Sequence, residues 1–117
     1  MEYVDICKQY FLAFQEKNIK KIGEMIHKSI ELKDWEIMVN GENDFLDANK
    51  KIFGDVTDIS IIIKNQGIQD GSSFESIIIF NEIEIHLNNN SIILDVVDII
   101  EFDKKTGLIK SIRAYKK

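Results

Sequence analysis

One segment, residues 91–102, limits the possible folds of this chain most strongly because a carboxylate interrupts an otherwise apolar strand face. Successive side chains of a β-strand point to opposite faces. One face of this segment carries Asp98 as its single polar residue among aliphatic and aromatic side chains. A carboxylate there must be paired, must reach a water-filled cavity, or must stay protonated because desolvation raises its pKa. Each case indicates a pocket rather than a plain core.

Length and charge exclude several classes of protein. The 117 residues suffice for a single domain, 1–117, with one core. The net charge of -5 argues against nucleic acid or an anionic membrane as partner, because both require a basic face. No apolar run has the length of a membrane span, and the N-terminus lacks a signal-peptide pattern. The only cysteine, Cys7, lies in an apolar helix stripe, so we expect a reducing, cytoplasmic setting without disulfides or cysteine metal clusters.

Apolar periodicity predicts a helical first half and a strand-rich second half, which is typical of an α+β fold. The predicted helices cover 2–16, 19–30 and 42–53, with Asn18 capping the second and Gly54 ending the third. The predicted strands cover 31–36, 56–64, 74–87, 91–102 and 108–116, and the polar run at 65–67 is predicted as a break. Short breaks between the last four strands favour antiparallel hairpins. We therefore expect three helices on the concave side of a curved antiparallel sheet.

Three segments resemble a known family. Leu-Asp-Val-Val-Asp-Ile-Ile-Glu-Phe-Asp at 94–103, followed after a glycine turn by Ile-Lys-Ser-Ile-Arg-Ala-Tyr, resembles the ketosteroid isomerase and SnoaL-like branch of the NTF2-like superfamily. Lys-Gln-Tyr-Phe-Leu-Ala-Phe at 8–14 resembles its opening helix. Ile-Glu-Leu-Lys-Asp-Trp at 30–35, with Gly41-Glu a few residues on, resembles its segment with an acidic residue, a short loop and the pattern Gly-x-x-x-Ile-x-x-Phe. The resemblance implies an NTF2-like (cystatin-like) cone, in which three N-terminal helices on a strongly curved, mostly antiparallel sheet enclose a pocket. It also implies a homodimer through the convex sheet face.

The resemblance assigns catalytic roles to three residues. It puts an oxyanion-hole tyrosine at Tyr10, a general base at Asp34 and a protonated carboxylic acid at Asp98. Each residue also has a structural interpretation from its own surroundings. Asp98 can be a buried acid satisfied by Tyr10, and Tyr10 can be a core tyrosine with a bonded hydroxyl. Asp34 can be a partly solvated carboxylate at the rim of a pocket.

Four further residues are expected to contact a ligand. Trp35 either stacks on a flat ligand at the pocket mouth or packs under the loop at 40–41. The resemblance places Ile79 and Ile83 on the pocket wall. Asn81 lies between them, either as an amide that orients the ligand or as the mark of a bulge.

Polar residues of the outer strand faces indicate no metal site. Asp95 and Glu101 are expected to face solvent or a second subunit. His86 follows Glu84, but no second histidine is placed to complete a metal site, so we expect neither metal nor cofactor.

Two functions from different classes remain. The first is a protein that binds a small apolar or carbonyl-containing ligand and, as an enzyme, would be an isomerase with Asp34 as base and Tyr10 and Asp98 as oxyanion donors. The alternative is a non-catalytic dimeric pocket protein that binds an apolar ligand or a partner protein. A dehydratase or hydrolase on the same scaffold usually needs a pocket histidine, and neither His27 nor His86 fits that role.

Overall fold

The structure is a computed structural model that describes residues 2–71 and 73–117. The first half of the chain contains three helices and two strands, and the second half contains four strands. The elements are α1 (Tyr3–Gln15), α2 (Ile19–Met25), β1 (Ile26–Lys33), β2 (Met38–Asn40), α3 (Glu42–Asp55), β3 (Ile59–Asp70), β4 (Ser76–Leu87), β5 (Ile92–Asp103) and β6 (Ile109–Lys116). This arrangement confirms the predicted α+β class.

All of these strands join one sheet in the order β2-β1-β6-β5-β4-β3. β1 runs parallel to β6, and every other neighbouring pair is antiparallel. The register shifts within the pairs β1/β6, β3/β4 and β5/β6. Such bulges bend strands and increase their twist, so the sheet forms an open cone around the helices. The prediction of a curved, mostly antiparallel sheet is confirmed.

The core fills the space between the helices and the concave face of the sheet. α1 packs on β3 and β4, and α3 packs on β1. Edge-on aromatic contacts support this packing, with ring centroids 4.9 Å apart for Phe14 and Phe53 and 5.0 Å apart for Tyr3 and Phe102. The residues without exposed surface are Cys7, Ile22, Ile30, Phe45, Ile79, Asn81, Ile100, Phe102 and Ile109. Side chains therefore occupy much of the interior of the cone.

The second helix ends earlier than the sequence predicted. α2 stops at Met25, and residues 26–30, predicted as helix, begin β1 instead. Ile26 and Ile30 are both buried. Residues four apart share one side of a helix, and an even separation also puts them on one face of a strand. Their spacing therefore did not distinguish the two structures. The predicted cap is confirmed, because Asn18 Oδ1 accepts a backbone N–H of the first turn at 3.0 Å.

The predicted end of β3 is also wrong. The strand continues to Asp70, and the polar run at 65–67, predicted as a break, lies inside it. The register against β4 skips Lys64, which forms a bulge. An extra residue reverses which side chains face each side of the sheet. As a result Gln66, rather than Asn65, faces the helices.

Glu101 does not face solvent, contrary to expectation. It is buried within the chain, and its Oε2 accepts a hydrogen bond from Ser76 Oγ at 2.7 Å. Lys110 Nζ lies 3.6 Å from Oε2, and Arg113 lies 3.9 Å from Oε1. Positive partners of this kind compensate a buried carboxylate. Asp95, on the same side of β5, remains partly exposed.

Candidate functional site

A row of polar side chains crosses the middle of the concave face. Gln66 on β3 lies opposite Asn81 on β4, which lies opposite Asp98 on β5. Directly opposed residues of neighbouring strands share a face, and we call these three residues the polar row. Asp98 is opposite Ala114 on β6. The register of β1 with β6 brings the next residue after β1, Asp34, beside Ala114.

The Asp98 carboxyl group is desolvated but has no partner. No residue of 2–71 or 73–117 forms a hydrogen bond with its oxygens, which keep some contact with solvent. Burial raises the pKa of Asp98 from its ordinary value of 3.8 to about 7, with the negative charge of Asp34 as a second cause. Below pH 7 the group is therefore mostly protonated and carries a proton that it can donate.

Tyr10 lies above the polar row on α1, three residues after Cys7 and thus on the same helix face. Only 5% of the residue is exposed, and its hydroxyl forms no hydrogen bond with the described part of the chain. Burial raises the pKa of Tyr10 above its ordinary value, and the negative charge of Asp98 raises it further. Tyr10 and Asp98 therefore interact electrostatically without bonding to each other, so each keeps its hydrogen-bonding capacity.

Asp34 occupies the tight turn between β1 and β2. Its Oδ1 accepts the backbone N–H groups of Glu36 at 2.7 Å and Ile37 at 2.8 Å, and its own N–H donates to Ile37 O at 3.0 Å. Its Oδ2 has no hydrogen bond within the two described ranges. Its charge acts on Asp98. The fold thus brings both Asp34 and Tyr10, far apart in sequence, into electrostatic range of Asp98.

Asn81 connects the polar row to α1. Its Oδ1 accepts a hydrogen bond from Gln66 Nε2 at 2.8 Å. Its Nδ2 lies 3.2 Å from the main-chain oxygen of Asp98 and 3.8 Å from Cys7 Sγ. Burial raises the pKa of Cys7 to about 12, so the thiol stays protonated. β4 pairs without interruption with β5 at Asn81, and the bulge next to Asn81 lies on the neighbouring strand β3, at Lys64.

Comparison with known proteins identifies the fold. No protein-family model and no curated protein matches the sequence. Nuclear transport factor 2 from Cryptosporidium parvum matches with a TM-score of 0.81 at 12% identity, over 97% of this chain and 90% of that chain. A putative scytalone dehydratase from Novosphingobium aromaticivorans also gives 0.81, at 11% identity over 97% and 80% of the two chains. This chain has the NTF2-like fold.

A third match is a putative SnoaL-like polyketide cyclase from Shewanella denitrificans. Its TM-score is 0.75 at 10% identity, over 98% of this chain and 90% of that chain. These identities are low, so they establish the architecture and leave the chemistry to be argued from the side chains. The fold implied by the sequence resemblance is confirmed.

Within this fold the four predicted ligand contacts form two groups. Trp35 is 40% exposed, and Lys116 Nζ lies 5.3 Å from the centre of its ring. Ile79, Asn81 and Ile83 share the concave face and expose at most 1% of their surface. A ligand can reach Trp35 directly, but it reaches the other three only after neighbouring side chains move.

Two cavities of the NTF2-like cone lie away from the polar row. An open groove of about 470 Å³ is lined by Glu2, Tyr3, Ile68 and Ile77. A smaller cavity of about 120 Å³ lies along β1, β2 and β6. Neither is lined by a residue of the polar row. Gln66 and Asp98 are both partly exposed and Asn81 is buried, so solvent reaches the row at its two ends.

The acidic, histidine and cysteine side chains do not form a metal site in the described ranges. Within residues 2–71 and 73–117, no group of three or more His, Cys, Asp or Glu side chains is arranged to hold a metal ion. His86 contacts Glu84 through Nε2 at 3.0 Å and Asn90 through Nδ1 at 3.1 Å.

No helix in the described ranges combines the length and the apolar character that crossing a membrane requires.

Sequence reasoning missed Gln66 because its neighbours resemble a turn. A signal was nevertheless present in the phase of the apolar residues. Inward isoleucines occupy odd positions up to Ile63 and an even position at Ile68. Such a phase change within a strand indicates a bulge, and it places Gln66 on the concave side.

Proposed function

We propose that the chain binds a small carbonyl-containing molecule and catalyses proton transfer beside the carbonyl group. Asp34 removes the proton, and Tyr10 and Asp98 donate hydrogen bonds to the oxygen of the resulting enolate. One observation carries the proposal, namely the contrast between two neighbouring carboxyl groups. Asp34 accepts two backbone N–H bonds, whereas Asp98 is desolvated and accepts none. Proteins divide base and acid roles between carboxyl groups through such differences in surroundings.

Tyr10 and Asp98 suit the role of donors. Burial keeps the proton on Tyr10, and below about pH 7 Asp98 carries its proton as well. When a C–H bond beside a carbonyl breaks, its electrons move onto the carbonyl oxygen as the proton passes to Asp34. Donors already aimed at that oxygen stabilise the transition state more than the ground state. Return of the proton from Asp34 to a second carbon completes an isomerisation.

The ligand wall is also part of the proposal. An apolar ligand would lie against Ile79 and Ile83, with Asn81 between them and Trp35 at the mouth. The wall is closed to solvent in the present conformation, so binding requires side chains over the polar row to move. Substrate-induced movement of this kind is common around enzyme sites.

A fluorescent naphthol tests the proposal without knowledge of the substrate, because a phenolate resembles an enolate in charge and geometry. Below pH 7 the wild type is expected to bind naphthol and to favour its ionised form. Tyr10→Phe and Asp98→Leu each remove one donor, and each is expected to weaken phenolate binding on the order of tenfold or more. The fluorescence of the two ionisation states measures both quantities.

Matched controls repeat the same changes away from the polar row. Tyr3→Phe alters a tyrosine that packs on Phe102, and Asp95→Leu alters a carboxylate that pairs with Lys64. Both are expected to bind naphtholate like the wild type. Phenolate binding that is indifferent to Tyr10→Phe and Asp98→Leu would contradict the proposal.

A non-catalytic pocket protein is the second candidate, and the closed ligand wall favours it. In that case the polar row ties the core together, and the chain holds an apolar ligand or a partner protein. The same titration distinguishes the candidates. A wild type that binds neither form of naphthol, or binds both forms equally, supports the non-catalytic function.

We further propose that two copies of the chain pair through their convex sheet faces. Ile62, Ile93 and Tyr115 are half-exposed there, and water-exposed apolar area of this kind is costly on a monomer. Sedimentation equilibrium is expected to show a dimer that Ile93→Glu weakens on the order of tenfold or more, because it buries a charge at the interface. Ile68→Glu makes the same change at an exposed position on the opposite face and is expected to leave the dimer intact. A monomeric wild type would contradict this arrangement.

A further inference from the structure

Gln66 reaches the interior only because of the bulge at Lys64. Without the extra residue, Gln66 would face the convex side of β3. In the observed register its Nε2 lies 2.8 Å from Asn81 Oδ1 and 3.3 Å from the main-chain oxygen of Val4. Val4 belongs to the first turn of α1. Gln66 therefore joins β3 to both β4 and α1.

Asn81 continues these contacts towards the two proposed donors. Its Nδ2 lies 3.3 Å from Ile79 O, 3.2 Å from Asp98 O and 3.8 Å from Cys7 Sγ. Residues at intervals of three share one side of a helix. The two residues of α1 that the amides contact thus lie on the same side as Tyr10. The contact with Asp98 O fixes the backbone that carries the second donor.

We infer that Gln66 and Asn81, which we call the amide pair, are positioning residues that set the separation between the Tyr10 hydroxyl and the Asp98 carboxyl. The inference rests on the proposed function, in which both groups bind the same oxygen. Neither amide needs to touch the ligand, because Gln66 Nε2 and both polar side-chain atoms of Asn81 are already occupied within the protein. This assigns Asn81 a role in holding α1 against β5 rather than in orienting a substrate.

Gln66 controls the orientation of the Asn81 amide. The Gln66 N–H is the donor to Asn81 Oδ1 among the described contacts, and Asn81 is fully buried. If that donor is removed, a buried carbonyl oxygen is left unpaired, and the amide must rotate or admit water to satisfy it. Rotation breaks the contacts of Asn81 Nδ2 to Asp98 O and Cys7 Sγ. The helix that carries Tyr10 then loses its link to the strand that carries Asp98.

Gln66→Met tests the inference, because methionine has a similar shape and no N–H. Naphtholate affinity is expected to fall on the order of tenfold, since small displacements of catalytic groups have effects of at least this size. A second readout needs no ligand. In the wild type the carbon-13 signal of the Tyr10 ring is expected to follow the ionisation of Asp98, and in Gln66→Met this response is expected to shrink.

Gln69→Met is the matched control, because it makes the same change at an exposed position of β3 that pairs with Ile78. It is expected to stay within about twofold of the wild type in naphtholate affinity. Denaturation midpoints of both variants separate positioning from stability. A lower midpoint for Gln66→Met with an unchanged Tyr10 response would overturn the positioning role. If the wild type binds no naphtholate, the proposed function fails, and the Tyr10 response alone decides whether the amide pair positions the two groups.

Discussion

At about pH 8, Asp98→Asn is expected to be more stable than the wild type by up to about 4 kcal/mol, whereas near pH 4 the two proteins are expected to have similar stability. An amide has nearly the shape of a protonated carboxyl group and does not ionise. Above pH 7 the wild type must hold a desolvated carboxylate close to the charge of Asp34. The substitution removes that cost.

The sign of the pH dependence follows from the direction of the pKa shift. The pKa of Asp98 rises from 3.8 in the unfolded chain to about 7 in the folded protein. Between these pKa values the native state holds a proton that the unfolded chain has released. The stability of the wild type therefore falls as pH rises through this interval and levels off above pH 7. This interval corresponds to about 4 kcal/mol, and the partial exposure of Asp98 makes that figure an upper value.

Urea denaturation across the pH range measures the difference, with Asp95→Asn as control. Asp95 is partly exposed on the other side of β5 and pairs with Lys64 at 3.1 Å. No gain above neutral pH is expected for that variant. If the difference in free energy of unfolding between Asp98→Asn and the wild type is the same at all pH values, Asp98 has the same pKa in the folded and the unfolded state. If Asp98 lowers the stability of the folded protein above neutral pH, a functional role would account for its presence.

The order and type of most elements could be predicted because each long element covers a single core. β4 and β5 alternate inward and outward over their length, and α1 keeps one apolar side. These patterns depend only on local periodicity. The curvature could be anticipated too, since helices packed on one face of an antiparallel sheet need a concave surface.

What could not be predicted depends on contacts between distant parts of the chain. Whether residues 26–30 continue α2 or start β1 is decided by pairing with β6, which local spacing does not reveal. The bulge at Lys64 is decided by pairing with β4. How completely the interior is filled depends on the packing of α1 against the sheet.

The candidate site divides in the same way. Asp98 could be predicted from the sequence, because a carboxylate on an apolar strand face is visible within a single element. Tyr10 and Asp34 were assigned through the family resemblance, and their catalytic roles stay predictions. Gln66 came from the structure, because its inward direction depends on a register between strands.

Asp34→Asn is expected to reduce proton exchange at the carbon beside a carbonyl on the order of 10²- to 10⁴-fold, the usual contribution of a general base. The substitution preserves the turn, because the amide oxygen of asparagine can still accept hydrogen bonds from the N–H groups of Glu36 and Ile37. Only the atom that takes the proton is replaced. Deuterium exchange into a panel of enolisable ketones, followed by NMR, measures the loss. Glu36→Gln, which neutralises an exposed carboxylate two residues away, is expected to exchange at the wild-type rate.

A second effect of Asp34→Asn links the base to the donor and needs no substrate. The negative charge of Asp34 contributes to the raised pKa of Asp98, so neutralising it is expected to lower that pKa, measurable from the carboxyl carbon-13 signal. Phenolate affinity is expected to be retained or to rise, because a repelling charge is removed. Loss of exchange together with retained phenolate binding is the pattern of a missing base in an intact oxyanion site. Exchange at the wild-type rate in Asp34→Asn would exclude Asp34 as the base. Loss of both exchange and phenolate binding would indicate instead that the turn at Asp34 maintains the structure of the site.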